Sequence, residues 1–293
     1  MKLATKTADF SAYVADPIEA LTHIRKAGFR YADYSFGWDY DHRTGVYSGD
    51  AWLDRVAALE FPLVQAHSPM GKPLDDPDGS FLADTLRCVE ACGRWGIPNL
   101  VVHSGYLPDL SRKETFLRNR EFFLPLLEAA EPWGVNILVE NFNKMYKDNV
   151  YWIDNATDLL EMIETVDHPL FHAVWDTGHA NLQPMPQQEE LRLLGSHVKA
   201  LHIQDNLGAK DQHLLPFHGT TDMDSVMQGL QDIGYEGYFT FEVSRFFDSG
   251  VPRRTDATER RLPAPDLALQ DTAEHYLYQL GRSILERYNC FEE

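Results

Sequence analysis

Short apolar runs alternate with longer segments in which apolar residues return every third or fourth position. This alternation persists along the whole chain. The short runs are "KLATKT", "YADYSF", "PLVQAHS", "NLVVHSG", "NILVENF", "HAVWDTG", "VKALHIQD" and "YFTFEVS". They have the length and the β-branched or aromatic content of strands. Between them lie segments with one apolar face. Ala20, Ile24 and Ala27 form that face in the first, and Leu82, Leu86 and Val89 in the third. These spacings predict helices. Gly28, Gly96, Gly134 and Gly234 stand where helices should stop before the next strand. Asn155 in "NATD" has the place and chemistry of an N-cap.

Strands separated by helices pair in parallel through right-handed crossovers. Eight such units in 293 residues predict an α/β fold, a (β/α)8 TIM barrel formed as one domain over residues 1–293. The rival is an open doubly wound sheet, which usually carries a glycine-rich turn after its first strand. Here the first strand runs into "ADFSAYVADP", with no GxGxxG. The longest predicted loops are Gly37 to Gly49, His67 to Gly79, Asn141 to Tyr151 and Phe246 to Pro265. Long loops after strands lie on the functional face of a barrel.

Single polar residues stand at the ends of six successive strands: His67, His103, Glu140, Asp176, His202 and Glu242. Each is about one βα unit from the next, so barrel closure turns all six toward one mouth. Carboxylates and imidazoles crowded away from water repel or desolvate one another. A divalent cation resolves that conflict. The mixture of oxygen and nitrogen donors suits Mn, Mg, Co, Fe or Zn. Further polar residues follow. His179 lies three beyond Asp176, and Asp211 and His213 are two apart, as an extended loop needs to point both the same way. These three, with His67 and His103, are candidates for substrate binding or for a second or third metal. His218 is a weaker companion.

Composition narrows the class. The formal net charge is −19, with no Lys/Arg cluster, which disfavours a nucleic-acid partner. No apolar run approaches the ~18 residues of a membrane span. The N-terminus lacks the apolar core of a secretory signal, and Cys88, Cys92 and Cys290 follow no metal or disulfide spacing. A cytoplasmic protein is the expectation. Aromatic residues in the loops after strands (Phe36, Trp38, Tyr40, Phe142, Tyr146, Tyr151 and Trp152) are candidates to cover a small ligand. Lys144, Lys210 and Arg245 are scattered cations that form no phosphate site, so an unphosphorylated polyol or sugar is favoured.

The pieces "VVHSG", "LVENF", "WDTGHANL", "LHIQDN", "DQHLLPFHG" and "FTFEVS" together resemble the xylose isomerase-like barrel superfamily, which joins sugar isomerases and epimerases to apurinic endonucleases. The resemblance runs from the third strand to the eighth. It implies one divalent metal held by Glu140, Asp176, His202 and Glu242, with His179 contacting a substrate oxygen. Glu140 and Glu242 then act as the acid–base pair in an isomerase or epimerase that removes a proton beside a carbonyl. The implied partner is a small sugar, keto-sugar or polyol, and homodimers or homotetramers are common in such proteins. Dehydration or elimination of a keto-sugar or inosose shares the same first step. The endonuclease branch implies three zincs, with His67, His103, His179, Asp211 and His213 as added ligands and a phosphodiester as substrate. Two departures disfavour that branch. The stretch after Asp176 reads "TGHANLQPM" rather than a Cys-His pair, an Ala-rich stretch and Tyr-Asp. After "DQH" comes "LLPFHGT", where the family usually has Gly-Glu-Gly.

Overall fold

In the computed structural model, residues 1–36, 50–142, 152–244, 246–247 and 265–293 are described. All eight predicted strands form: β1 (Lys2–Lys6), β2 (Tyr31–Ser35), β3 (Leu63–His67), β4 (Asn99–Val101), β5 (Asn136–Glu140), β6 (Phe171–Asp176), β7 (Val198–His202) and β8 (Tyr238–Phe241). They make one parallel sheet in the order β7-β6-β5-β4-β3-β2-β1-β8. A parallel bridge between Ile203 and Phe241 brings the two outer strands together. Ile203 donates to the Thr240 carbonyl at 2.8 Å, and Glu242 donates to the Ile203 carbonyl at 3.0 Å. The result is a nearly closed barrel.

The helices lie between the strands: α1 (Pro17–Ala27), α2 (Asp50–Leu59), α3 (Ser80–Trp95), α4 (Arg112–Ala130), α5 (Ala156–Val166), α6 (Thr177–Asn181), α7 (Gln187–Leu194), α8 (Met223–Asp232) and α9 (Leu267–Arg287). Their ends follow local chemistry. The Asn155 side chain accepts from the Asp158 amide and starts α5. Ser111 and Glu114 form a reciprocal capping box on α4. Gly28 and Gly96 end α1 and α3 at positive φ, a conformation that costs glycine little. Cys88 and Cys92 are buried free thiols on α3, and Cys290 is a half-buried one. No helix among the described residues is long and apolar enough to cross a membrane.

Two apolar layers hold the fold. The larger fills the space between strands and helices, with Phe123, Phe171, Trp175, Phe239 and Phe241 fully or almost fully buried. The smaller lies within the barrel and consists of Val101, Leu138, Val174 and Ala200. Successive side chains of a strand point to opposite faces, so a residue two positions further on returns to the same face. Two residues beyond these four stand His103, Glu140, Asp176 and His202. The period of the strand thus lifts four polar residues directly above a closed apolar plug.

Candidate functional site

Phe36 departs from the predicted pattern. It is fully buried and stacks on Trp95, with ring centroids 5.5 Å apart, so it belongs to the core rather than to a ligand cover. Phe142 does face the mouth and packs on His103 and His179 at 4.5 and 5.0 Å between centroids. Trp152 is half-buried against Tyr106. Trp38, Tyr40, Tyr146, Tyr151, Lys144 and Arg245 lie outside the described residues. Lys210 and His218 are exposed and do not line the cavity.

The remaining expected residues converge. A cavity of ≈ 240 Å³ opens at the C-terminal end of the barrel, with walls that include His67, His103, Glu140, His179, Asp211, His213 and Glu242. That volume falls below the roughly 300–1,000 Å³ of pockets for larger organic ligands, which suits something of monosaccharide size. Glu140 is the hub. Its Oε2 lies 2.9 Å from His103 Nε2 and 3.6 Å from His67 Nε2. Its Oε1 lies 3.2 Å from His202 Nδ1 and 3.3 Å from His179 Nδ1. Glu242 Oε2 reaches the same His202 Nδ1 from the other side at 3.5 Å.

Asp176 ends β6 and caps α6. Its Oδ1 accepts from the His179 amide at 2.6 Å, so the strand-to-helix turn fixes both residues at once. His179 Nε2 then approaches Asp211 Oδ2 at 3.3 Å, and His213 Nε2 lies 3.1 Å from Asp211 Oδ1. His213 adopts a positive φ of 48°, and its Nδ1 sits 2.9 Å from the Glu242 carbonyl oxygen.

The donor atoms fall into sets compact enough for metal ions. Glu140, Asp176, His202 and Glu242 each offer one atom, all within 4.8 Å of one another. His67, His103 and Glu140 form a second such set, His179, Asp211 and His213 a third, and His67, His202 and Glu242 a fourth. The electrostatics of the first set fit a dication. Burial pushes the Asp176 carboxyl up to about 7, reinforced by Glu140 and Glu242. Burial also opposes charge on Glu140 and Glu242, yet the imidazoles, led by His202, hold both well below the usual carboxylate range. His202 and His179 are buried, which alone would favour the neutral ring, but the surrounding carboxylates hold both well above the usual range. Such a cluster stores protons where a cation can replace them.

Several site residues escaped the strand-end pattern. Asp33, buried in mid-β2, lies 3.4 Å from His202 Nε2, the ring nitrogen opposite the one that faces Glu140 and Glu242. Gln65 donates to Asp33 at 2.7 Å, and Thr240 donates to Gln65 at 3.1 Å, making a polar layer beneath the mouth. Gln204, just beyond β7, donates to Asp176 at 3.2 Å and to Asp211 at 3.0 Å. Lys6, at the end of β1, places its ammonium 3.6 Å from Glu242 Oε1. Period-two reading of β3 and β8 would have found Gln65 and Thr240, because each shares a face with a candidate residue two positions further on, His67 and Glu242.

Comparison with known proteins bears on the family and the fold. A family model described as a xylose isomerase-like TIM barrel matches residues 21–261. Fructoselysine 3-epimerase of Escherichia coli is 32% identical over 143 residues, 48% of this chain and 50% of that one. D-psicose 3-epimerase of Ruminiclostridium cellulolyticum is 25% identical over 137 residues, 47% of this chain and 44% of that one. The chain thus spans about half the length of the curated relatives it matches, and sugar 3-epimerases are among them. Among solved structures, D-psicose 3-epimerase of Clostridium cellulolyticum, determined with D-tagatose, superposes with a TM-score of 0.75 at 18% identity. That match covers 97% of this chain and 99% of the other. The 3-keto-D-glucoside 4-epimerase of Escherichia coli gives a TM-score of 0.70 at 18% identity, covering 95% and 99%. At these identities the superpositions speak to the fold.

Proposed function

The chain belongs to the xylose isomerase-like TIM barrel family, and from that premise we propose that it is a divalent-metal-dependent sugar epimerase or isomerase. The supporting observation is the placement of two carboxylates, Glu140 buried and Glu242 half-buried. Glu140 ends β5 and Glu242 follows β8, three strands apart in an eight-strand ring. They flank the site from two sides and share His202 Nδ1 between them.

Glu140, Asp176, His202 and Glu242 would hold one dication, of which Mn, Mg, Co, Fe and Zn all suit the donors. When bound, such an ion supplies Lewis-acid polarisation of a carbonyl and so acidifies the neighbouring C–H. The chain's own residues do the rest. One glutamate removes the proton beside the carbonyl. The other, on the opposite side, returns a proton to the far face of that carbon for epimerisation, or to the adjacent carbon for isomerisation. His179 is fixed by Asp176 and by the Asn141 carbonyl oxygen 2.9 Å from its Nδ1, and its Nε2 would exchange the Asp211 contact for a substrate oxygen. Phe142 and the apolar plug below keep water from the carbanion side. Elimination of water from a keto-sugar or inosose begins with the same proton removal and would differ only in its product.

Exchange of a substrate C–H for deuterium from solvent tests the first step without knowledge of the product. With a ketose panel in deuterated water, the metal-loaded protein should label the carbon beside the carbonyl. Glu140→Gln and Glu242→Gln should each lose about 10²–10⁴-fold of that rate, the usual worth of general acid–base help. Retention of most of the rate by Glu140→Gln would end the proposal.

A second reading has one specific observation in its favour. The His67–His103–Glu140 set shares Glu140 with the first, and the His179–Asp211–His213 set lies beside it with no shared residue. Three ions so held are the arrangement of a metal-dependent phosphodiesterase. The charge of −19 weighs against a nucleic-acid substrate. Hydrolysis of an abasic-site oligonucleotide, together with three zincs per chain, would decide for that reading.

A further inference from the structure

Lys6 is the one lysine or arginine among the described residues that line the cavity. It stands two positions beyond Ala4 on β1, on the strand face that looks to the barrel mouth. Its side chain is only 11% exposed. An ammonium carries three donors and no acceptor, and a buried one needs partners. Glu242 Oε1, at 3.6 Å, is within ion-pair reach but beyond ordinary hydrogen-bond distance. Among the described residues, the ammonium makes no other ion pair and no hydrogen bond. The Lys6 ammonium is therefore charge-compensated yet left with donors to spare, and it faces the cavity.

Its placement relative to Glu242 gives those donors a use. Glu242 turns Oε2 toward His202 and Oε1 toward Lys6. A ketose that presents a C–H to Glu242 carries oxygens on that carbon and on its neighbour, within reach of the group beside Oε1. Asp9 and Asp33, like Glu242, favour the charge on Lys6. A phosphate or carboxylate brought to this spot would also meet Glu242 and Asp33, which line the same cavity. A hydroxyl or carbonyl oxygen would not suffer that repulsion.

We infer that Lys6 is a substrate-binding, specificity-determining residue that donates a hydrogen bond to an uncharged oxygen of the sugar on the Glu242 side of the site. The inference rests on the epimerase reading above and names what it leaves open, the chemical class of the substrate: an unphosphorylated ketose. Lys6 remains an ammonium throughout and forms no covalent bond.

The experiment compares wild type with Lys6→Met, Lys6→Gln and Lys6→Arg. Each protein is checked by thermal unfolding and by Mn²⁺ titration. Solvent-deuterium exchange is then measured on unphosphorylated ketopentoses and ketohexoses, including D-psicose and D-fructose, and on their phosphate esters. The expected result is that wild type exchanges the unphosphorylated sugars in preference to the esters. Lys6→Met and Lys6→Gln should raise KM at least tenfold, with Mn²⁺ affinity within twofold of wild type. Lys6→Arg, which keeps a cationic donor, should recover part of the loss. An active wild type with KM unchanged within twofold in both Lys6→Met and Lys6→Gln would overturn the assignment and leave the epimerase reading intact. So would a parallel tenfold loss of Mn²⁺ affinity, which would reduce Lys6 to a counter-charge for Glu242. Preference for the esters would overturn the substrate class. No exchange by wild type on any ketose would overturn the epimerase reading, and the role of Lys6 with it.

Discussion

Asp176 shows why the residue scale matters for this site. A carboxylate at the end of a buried strand is costly unless a cation meets it, and that cost made Asp176, Glu140 and Glu242 legible in the sequence. Lys6 and Asp33 were not. Lys6 shares "KLATKT" with Lys2, and lysines at both ends of a short strand read as solvated; its burial exists only once β8 pairs alongside β1. Asp33 sits between Ala32 and Tyr34, so "YADYS" reads as ordinary alternation rather than as a residue beneath a ligand. The protons on the ligands carry a prediction. The carboxylates hold the buried His202 well above its usual range, which favours the protonated ring before a metal binds. A ligating imidazole must be neutral. A bound dication therefore displaces protons, and its affinity rises with pH because fewer protons compete. Mn²⁺ titration should give tighter binding at pH 8 than at pH 6, with proton release visible in buffers of different ionisation enthalpy. An affinity independent of pH over that window would contradict this electrostatic picture.

At the scale of elements, the turn from β6 into α6 does the most positioning. Five residues of helix suffice because Asp176 caps it and His179 follows on the same turn. "WDTGHANL" made the pairing of Asp176 and His179 legible. The reason for the glycine between them was not, since it depends on a residue from another strand. A Cβ on Gly178 would meet the Gln204 side chain, with Oε1 at 2.0 Å. Gln204 is the amide that holds Asp176 and Asp211 together. Gly178→Ala should push that amide aside and remove its hydrogen bonds to both carboxylates. Loss of a supporting contact of this kind typically weakens metal binding about 10–100-fold. A folded Gly178→Ala protein with Mn²⁺ affinity within twofold of wild type would show that Gln204 does not set the ligand geometry. Every strand starts within a residue of its predicted run, but the runs overshoot β4 by four residues and β7 and β8 by three. The polar pattern holds beyond their ends: His103 and Glu242 act from the first residues past β4 and β8.

For the whole molecule, eight βα units supplied the barrel, because parallel strands joined by helices have few ways to close. The convergence of strand ends on one mouth followed from that closure. Sequence periodicity could not reveal which loop aromatics reach the mouth: Phe142 does, whereas Phe36 turns into the core, although both follow strands. The acidic surface and the small cavity point the same way as the sugar reading, toward a small uncharged ligand. The central claim is that four side chains from four strands share one divalent ion. Its most direct test is Mn²⁺ titration of chelator-treated protein, with His202→Ala as the control. The account predicts one tight ion per wild-type chain and its loss in the variant. Absence of tight binding in wild type, or equal binding by His202→Ala, would contradict it.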